Sequence, residues 1–278
     1  MKPLVSVIIT TKNEEKNIEN CLKSIRNQTY KNIEIIVVDN NSTDKTKEIA
    51  KKYTDKVFKH GPERSAQRNF GAKMARGKYI LYLDADMILS PGVIKECVEK
   101  MEKNNNLVAL YIPERIIGEG FWIKVRDFER SFYTATPIDA VRFIRKEVFE
   151  KVGGFDENLT GPEDWDFDKK VRSVGKVDVI NSCLYHNEGK FNLRNYVKKK
   201  LYYAKSFDKY IKKWGNDDPD IKKQLGAHYR LIGVFIENGK WKKLMKKLHL
   251  TLGMTFLRCI VGITYLLNNS ISKIKGGI

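Results

Sequence analysis

Residues 79–86 read Tyr-Ile-Leu-Tyr-Leu-Asp-Ala-Asp, an apolar run that ends in two acidic residues two positions apart. Side chains two positions apart in an extended strand point to the same side, so we expect the carboxylates of Asp84 and Asp86 to project together. Two carboxylates on one side of a strand suit a hard cation such as Mg²⁺ or Mn²⁺. Asp-x-Asp pairs are also common on protein surfaces, and the buried run before this pair is what favours a site.

Similar apolar runs alternate with helical patterns through the preceding residues and as far as residue 112. The runs predict strands at 4–10, 33–38, near Val57, 79–83 and 107–112, and the helical patterns predict helices at 13–27, 44–53, 65–75 and 91–101. Repeated strand–helix–strand units form parallel sheets that are buried on both faces. The sequence therefore predicts an α/β fold with a mostly parallel sheet flanked by helices.

Polar residues follow three of these predicted strands at their carboxyl ends, where ligands bind to parallel sheets. Thr10 to Asn13 follow the first strand, Asp39 to Asn41 follow the second, and Asp84 to Asp86 follow the strand at 79–83. The first strand is followed neither by a Gly-x-Gly-x-x-Gly sequence nor by a Gly-Lys-Ser/Thr sequence. Their absence argues against a dinucleotide-dependent dehydrogenase and a P-loop phosphatase.

Two further sites of possible chemistry lie beyond residue 112. Glu163 and Asp164 follow a Gly-Pro turn at the start of a predicted helix, where a carboxylate could act as a general base or could simply stabilise the first turn. His186 follows a short predicted strand and could be a third metal ligand or a structural histidine. Between these sites and the sheet, residues 113–137 are expected to form a loop and a short helix, followed by a strand at 140–145.

Six motifs, taken in order, resemble those of family 2 glycosyltransferases of the GT-A fold. They are Val5-Ser6-Val7-Ile8-Ile9-Thr10-Thr11-Lys12-Asn13-Glu14, Val37-Val38-Asp39-Asn40-Asn41-Ser42-Thr43-Asp44, Arg68-Asn69-x-Gly71, Leu83-Asp84-Ala85-Asp86, Gly153-Gly154-Phe155-Asp156 and Glu163-Asp164-Trp165-Asp166. The resemblance covers roughly residues 4–187. It implies a nucleotide-sugar enzyme that acts with inversion and requires Mn²⁺ or Mg²⁺.

The resemblance also implies a role for individual residues. The nucleotide-sugar would be held by Thr10, Lys12, Asn13, Glu14, Asp39, Arg68, Asp84 and Ala85, the metal by Asp86 and His186, and the acceptor side would include Gly154 and Trp165. Asp164 matches the catalytic base and Glu163 its neighbour. The family's first motif usually carries an aromatic residue where Lys12 stands, so a charge contact to phosphate would replace base stacking there.

The charge of the chain is concentrated in its C-terminal third. The formal net charge is 52 − 34 = +18, and residues 190–278 hold 20 basic and 5 acidic residues, or +15. With 42% hydrophobic and 31% charged residues, the composition is that of a globular protein, not of a disordered or polytopic membrane protein. We therefore predict a transferase domain at 1–189 and a basic, aromatic-rich helical region at 190–278.

The C-terminal region has the pattern of a helix that lies in a membrane interface. At 241–249, four lysines stand opposite Trp241, Leu244 and Leu248, and residues 250–267 are almost wholly apolar apart from Arg258. A span needs about 20 apolar residues, so a shallow monotopic anchor is preferred to a span, with a buried helical hairpin that closes the domain or a dimer as the alternative. Four dispersed cysteines and the absence of a signal-peptide pattern lead us to expect the cytoplasmic face of the cell membrane.

We accordingly predict a metal-dependent inverting transferase that moves a sugar from a UDP- or GDP-sugar to a hydroxyl of a lipid-linked glycan. A polyprenyl-phosphate glycosyl synthase is the enzymatic alternative. The alternative of another class is a basic protein that binds nucleic acid or a membrane, and of these two we expect no nucleic acid.

Overall fold

Seven strands form the main sheet of the protein, seen in a computed structural model that describes residues 2–275 and the side chains of residues 2–265. The strand order is β3-β2-β1-β4-β8-β6-β9, where the strands are β1 (Val5–Thr11), β2 (Ile33–Asp39), β3 (Val57–Lys59), β4 (Tyr79–Asp84), β6 (Leu107–Tyr111), β8 (Phe143–Arg145) and β9 (Lys176–Val179). β8 runs antiparallel to β4 and β6, and the other neighbouring pairs are parallel. The sheet is thus mostly parallel.

Both faces of this sheet are buried, which explains why its strands are continuous apolar runs. Val7 and Ile9 of β1 join a hydrophobic core on one face, together with residues of the helices α1 (Ile18–Arg26) and α4 (Val93–Lys103). Ile8 joins the core on the opposite face, together with residues of α3 (Arg64–Met74), α6 (Lys146–Lys151) and α7 (Glu163–Arg172). The short helix α2 (Thr46–Lys51) follows β2.

A second sheet contains three strands in the order β5-β10-β7, with β5 at Met87–Leu89, β7 at Glu114–Glu119 and β10 at Leu184–Lys190. β10 pairs antiparallel with β5, and His186 is paired with Met87. This pairing brings the histidine next to the acidic pair that ends β4.

The chain divides into two units. Unit 1 comprises the chain up to Arg115 with Thr134–Leu159 and Glu163–Asn187, and unit 2 comprises Ile116–Tyr133, Thr160–Pro162 and the chain from Glu188 onward. The C-terminal boundary at residue 188 lies beside the predicted one at 189. Residues 116–133 and 160–162, which the sequence assigned to the first domain, belong to unit 2.

Unit 2 is mainly helical. Its helices are α5 (Phe121–Arg130), α8 (Leu193–Ala204), α9 (Phe207–Trp214), α10 (Pro219–Leu225), α11 (Val234–Ile236), α12 (Trp241–Lys246) and α13 (Leu248–Lys275), with a π-helical turn at Tyr229–Gly233 and a 3₁₀ turn at Glu237–Gly239. α13 packs on α5, where Gly253 lies so close that an added Cβ would be 2.7 Å from Val125. Leu250, Met254 and Leu257 form its buried face.

Three predictions about local structure were wrong. Residues 114–119 form β7 and not a loop, although the helix expected after them is present as α5. The strand expected at 140–145 is shortened to Phe143–Arg145. The helix expected at 241–249 is interrupted at Lys247, whose φ of −135° and ψ of 56° are not helical, so α13 begins as a separate helix.

Candidate active site

The ends of three adjacent strands lie side by side and carry the predicted site residues. Thr11 is paired with Asp39 across β1 and β2, and Thr10 is paired with Asp84 across β1 and β4. Parallel strands end at one edge, so the register alone brings these side chains together. The backbone N–H of Ala85 donates to the carbonyl of Thr10 (3.2 Å), which fixes the turn between Asp84 and Asp86.

Asp39 has one carboxylate oxygen occupied and one available. Its Oδ1 accepts from the backbone N–H of Ser42 (2.9 Å), whereas its Oδ2 is buried without a hydrogen-bond partner among the residues described. Gln67 of α3 donates from Nε2 to the carbonyls of Thr11 (3.0 Å) and Val38 (2.6 Å), so it ties together the ends of β1 and β2. Buried polar atoms are rarely left unpaired, so Oδ2 is a candidate ligand-binding atom.

The loop after β1 is tied to the loop after β2. The N–H of Asn13 donates to the Ser42 hydroxyl (2.8 Å), the Asn13 Oδ1 accepts from the N–H of Thr43 (2.9 Å), and the N–H of Glu14 donates to the Thr46 hydroxyl (2.8 Å). Asn13 and Glu14 therefore shape the loop through which they were predicted to act. Lys12, between them and β1, is exposed.

Arg68 links the acidic pair to the predicted base. Its guanidinium is fully buried and donates from Nη2 to Asp84 Oδ1 (3.0 Å) and from Nη1 to Asp164 Oδ1 (2.6 Å). It lies over the rings of Tyr82 (4.8 Å) and Phe155 (5.0 Å), contacts that favour a cation. The sequence predicts that Arg68 helps to hold the nucleotide-sugar, and in the structure two carboxylates share its charge.

Arg64, one turn before Arg68 on α3, holds a second carboxylate pair. Its Nη2 donates to Glu163 Oε1 (2.7 Å), and its Nη1 is 3.7 Å from Asp84 Oδ2. Burial opposes the charged form of Asp84, but Arg68, Arg64, Arg142 and the Thr10 hydroxyl hold its pKa well below its ordinary value. Burial raises the pKa of Glu163, although Arg64 opposes that shift.

Exposure distinguishes the two acidic residues at the start of α7. Only 2% of the Glu163 side chain is exposed, whereas 27% of the Asp164 side chain is exposed. A general base must reach the proton that it abstracts. Asp164 meets this requirement, and Glu163 instead anchors Arg64.

Asp86 and His186 offer two ligand atoms for one cation. The Asp86 Oδ2 lies 3.1 Å from His186 Nε2, and the Asp86 Oδ1 is buried with no partner among the described side chains. Two neighbouring ligands of an octahedral cation, each at about 2.1 Å, lie about 3 Å apart. Within residues 2–265 no group of three or more His, Cys, Asp or Glu side chains forms a metal cluster, so water and phosphate oxygens would complete the coordination.

Glu114 orients this histidine. Its Oε1 lies 3.1 Å from His186 Nδ1, and its Oε2 accepts from Arg142 Nη2 (3.1 Å). Burial disfavours the imidazolium, but hydrogen bonds to Asp86 and Glu114 raise the pKa of His186 to about 10. Metal-ligating histidines commonly donate their second ring N–H to a carboxylate, so the arrangement fits a divalent cation.

Gly154 and Trp165 are held by contacts within unit 1. Gly154 has a φ of +64°, and a Cβ there would lie 2.5 Å from Asn69 Oδ1. The Trp165 indole N–H donates to the carbonyl of Ile138 (2.9 Å). Their predicted place on the acceptor side stays a prediction.

Arg64, Gln67, Glu114 and Arg142 belong to the site but were not identified from the sequence. Arg64 stands four residues before Arg68, so helical spacing could have indicated it. Gln67, Glu114 and Arg142 lie in no motif that marks them as site residues, and they join the site only because distant segments of the chain pack together.

Residues 6–155, more than half of the chain, match the family model described as glycosyl transferase family 2. With a sheet whose strand ends gather carboxylates, this match defines the class of the protein: a glycosyltransferase enzyme with the GT-A fold, as the sequence predicted. The chain belongs to glycosyl transferase family 2.

Two curated relatives illustrate the range of similarity. An uncharacterised glycosyltransferase of Methanocaldococcus jannaschii is 31% identical over 227 residues, which cover 73% of this chain and 77% of the relative. A chondroitin synthase of Escherichia coli is 25% identical over 196 residues, which cover 66% of this chain but only 29% of the synthase. The chain thus spans most of the first relative and less than a third of the second.

Two solved structures share the fold. A mannosyltransferase from Pyrobaculum calidifontis, in complex with GDP-Man and Mn²⁺, has a TM-score of 0.65 at 19% identity and covers 98% of this chain and 87% of its own. TarS of S. aureus (residues 1–349), in complex with UDP-GlcNAc, has a TM-score of 0.56 at 20% identity and covers 91% of this chain and 79% of its own.

Proposed function

We propose that this family 2 glycosyltransferase moves a sugar from a UDP- or GDP-sugar to a hydroxyl of a lipid-linked glycan, with inversion, at the cytoplasmic face of the cell membrane. The observation that carries the proposal is the set of side chains at one edge of the main sheet. Among the described residues, Asp39 and Asp86 each keep a buried oxygen there without a hydrogen-bond partner, and Arg68 links Asp164 to Asp84 at the same edge.

The donor would lie along the ends of β1, β2 and β4. Asp39 Oδ2 can accept a hydrogen bond from an N–H of uracil or guanine, and its neighbour Oδ1 is held in place by Ser42. The two structural neighbours were solved with GDP-Man and with UDP-GlcNAc, which supports a nucleotide-sugar donor without choosing the base.

Asp86 and His186 would hold Mn²⁺ or Mg²⁺, with Glu114 fixing the imidazole. When bound, such a cation stabilises negative charge on the diphosphate leaving group. Arg64, 29% exposed where Arg68 is fully buried, is the more accessible of these two arginines for the same charge. Mn²⁺ in the mannosyltransferase neighbour supports this assignment.

Asp164 would serve as the general base in a single displacement. The acceptor oxygen attacks the anomeric carbon from the face opposite the diphosphate, and its proton passes to Asp164. The bond between the anomeric carbon and the diphosphate oxygen breaks, and nucleoside diphosphate leaves with that electron pair. Arg68 holds Asp164 by a 2.6 Å bond, which fixes the carboxylate before the acceptor arrives.

The surface of unit 2 supports attachment to a membrane. Thirteen large apolar side chains are exposed among residues 2–265, and all but Met74 belong to unit 2. Those of α12 and α13 include Trp241, Met245, Leu252 and Phe256, and they lie in the same segment as exposed lysines. Exposed apolar side chains that alternate with lysines along one segment suit an anionic membrane surface.

A monotopic attachment agrees better with α13 than a span does. Over the described residues, one helix is long and apolar enough to cross a membrane: the stretch Leu248–Tyr265 has a mean hydropathy of 1.3, and 28% of it is buried. Its Arg258 is 9% exposed and donates from Nη1 to Glu129 (2.7 Å) and the Tyr133 hydroxyl (2.6 Å). One face of α13 therefore packs within unit 2, and its other face is exposed. The side chains of 266 and 267, which complete the predicted segment, lie outside the described residues.

The proposal is tested by release of nucleoside diphosphate from a panel of UDP- and GDP-sugars, with Mn²⁺ or Mg²⁺ and a lipid-linked glycan acceptor. We expect Asp164→Asn to lower turnover by about 10²-fold or more, because general bases contribute 10²–10⁴-fold. Asp55→Asn, an exposed position of unit 1, is the matched control. Unchanged turnover in Asp164→Asn would contradict the base assignment and favour a polyprenyl-phosphate synthase, whose anionic acceptor needs no base.

A further inference from the structure

Four cationic side chains from four segments meet around two tyrosines inside unit 2. They are Arg126 of α5, Lys200 of α8, Arg230 of the π-helical turn and Arg258 of α13. The Arg126 guanidinium and the Lys200 ammonium lie 5.0 Å and 5.5 Å from the centre of the Tyr196 ring. The Arg230 guanidinium lies 5.8 Å from the centre of the Tyr133 ring, and Arg258 Nη1 is 2.6 Å from the Tyr133 hydroxyl. We call these four residues the cation cluster.

Two carboxylates offset only part of this charge. Glu129 Oε2 and Oε1 accept from Arg126 (2.7 Å) and Arg258 (2.7 Å), and Glu188 forms a two-point ion pair with Arg126 (3.2 and 2.9 Å). With Lys200 protonated, four positive charges thus face two negative ones. Within the described part of unit 2, the cluster in that form has an excess of two positive charges.

Several donors of the cluster are not satisfied by the protein. Arg230 Nη1 and Arg258 Nε are buried without a hydrogen-bond partner in residues 2–265. The Lys200 ammonium makes no hydrogen bond or ion pair with a described residue. Unsatisfied buried donors are rare in native proteins, and unpaired buried charge is strongly unfavourable.

Lys200 shows the effect of this environment. Burial, followed by the positive charges of Arg126, Arg230 and Lys199, lowers its pKa to about 7, and Glu129 opposes the shift only in part. A lysine in such surroundings binds a proton more strongly once an anion arrives. Lys200 and Arg230 are both partly exposed, so an anion can reach them from solvent.

We propose that the cation cluster binds a phosphate or diphosphate group of the acceptor, a group that does not itself react. The inference rests on the proposed function, because it assigns that phosphate to a lipid-linked acceptor. A diphosphate that links a lipid to a glycan carries about two negative charges, one on each phosphate, which matches the excess of two positive charges. Its oxygens suit the planar guanidinium donors of Arg230 and Arg258, and Lys200 adds a point charge.

The test compares thermal unfolding of the full chain with and without inorganic pyrophosphate, in EDTA and at constant ionic strength. At about ten times Kd, pyrophosphate should raise the Tm of the wild type by roughly 3 °C or more. Without ligand, Lys200→Met should have a higher Tm than the wild type, because the substitution removes a charge that neighbouring cations repel. The same variant should lose most of the rise in Tm that pyrophosphate causes. Lys198→Met, an exposed neighbour on α8, should keep both wild-type values.

A full pyrophosphate shift in Lys200→Met would overturn the proposal, and so would an equal loss in Lys198→Met, which would indicate general surface charge. Arg230→Gln provides a second variant should Lys200→Met fail to fold, and it too should lose the shift. Binding to vesicles of phosphatidic acid, a phosphomonoester, compared with charge-matched phosphatidylglycerol identifies the source. A preference that Lys200→Met abolishes indicates a lipid phosphate, whereas a pyrophosphate shift without that preference indicates a soluble phosphate group.

The donor is monitored separately by thermal stabilisation with UDP or GDP and Mn²⁺. If neither nucleotide stabilises the wild type while pyrophosphate does so through Lys200, the cation cluster stands and the donor assignment fails. If a nucleotide stabilises both the wild type and Lys200→Met while pyrophosphate stabilises neither protein, the donor assignment stands and the cation cluster does not bind phosphate.

Discussion

Arg68 is the residue on which the candidate active site depends most. Its guanidinium is completely buried, and it bonds the carboxylates of Asp84 and Asp164, which are 164 − 84 = 80 positions apart in the sequence. Removal of a buried cation with two ion-pair partners strongly destabilises a protein, because both carboxylates are left without a neutralising positive charge. Arg68 is therefore a positioning residue that also supports folding.

We expect Arg68→Met to lower the free energy of unfolding by about 3–5 kcal/mol, the range for removal of one partner from a buried ion pair. Arg76→Met is the control, because the Arg76 side chain is 74% exposed and its ion pair with Glu34 (3.4 Å) should contribute less than about 1 kcal/mol. Urea unfolding followed by circular dichroism measures both. Equal losses in the two variants would contradict the role given to Arg68.

The sequence indicated the acidic residues of the site but not how they are paired. Asp84, Asp86 and Asp164 lie in motifs that can be identified by their position after a strand or turn. Their partners could not be predicted in this way, since Glu114 reaches His186 only through the second sheet. Which side chains bond to these acidic residues is determined by how distant segments of the folded chain pack together.

At the scale of elements, the turn between α6 and α7 shows how backbone conformation supports the site. Gly153 and Gly154 both have positive φ values, +75° and +64°, but only Gly154 lies against a neighbour. The Asn69 side chain accepts from the N–H of Phe155 (2.8 Å) and donates to its carbonyl (2.9 Å). The turn is thereby fixed to α3, the helix that carries Arg64 and Arg68.

We expect Gly154→Ala to destabilise the protein more than Gly153→Ala does. Both substitutions impose about 1–2 kcal/mol for a left-handed conformation, but at Gly154 the new Cβ also meets Asn69 Oδ1 at 2.5 Å, and at Gly153 nothing lies within 4 Å. The difference in Tm between the variants reports that contact. Indistinguishable Tm values would show that Asn69 moves away without penalty.

Helices and strands with a strong hydrophobic pattern could be predicted from the sequence. Those whose conformation depends on contacts with distant segments could not. The buried runs of β1, β2 and β4 were predicted to within one residue at every end. β7 was missed because Glu114, Arg115 and Gly118 interrupt any apolar alternation. Lys247 ends α12 although its helical pattern continues into α13.

At the scale of the whole molecule, charge and apolar surface are concentrated in unit 2. Exposed lysines at 242, 243, 246 and 247 accompany the exposed apolar residues of α12 and α13. The sequence predicted this amphipathic character. It did not predict the cation cluster, because the four residues come from separate segments and have no common pattern.

We expect the chain to float with anionic vesicles, and reversal of those four lysines to glutamate to weaken binding by about 100-fold or more. Each lysine near an anionic surface contributes on the order of 1 kcal/mol. The control reverses four exposed lysines of unit 1, at 45, 47, 51 and 52, for the same change in net charge. Equal weakening by both sets would contradict a defined membrane face.

Stability should depend on pH through Lys200. Its folded pKa of about 7 lies below the unfolded value of about 10.4, so its contribution is present above pH 10.4 and is lost as the pH falls through 7. Between these limits, the unfolding free energy of the wild type minus that of Lys200→Met should rise with pH by at most about 1.4 kcal/mol per unit. The subtraction removes other titrating groups, including His186. A difference that is flat from pH 7 to 10 would contradict the depressed pKa.

The guanidinium shared by Asp84 and Asp164 has a consequence for how the enzyme can change during evolution. Replacement of either acid leaves Arg68 with a surplus of charge, and replacement of the second acid adds to a defect that already exists. Residues joined in this way commonly show interaction energies of 0.5–3 kcal/mol. Asp84 and Asp164 are therefore an epistatic pair: the mutations that each can tolerate depend on which residue occupies the other position.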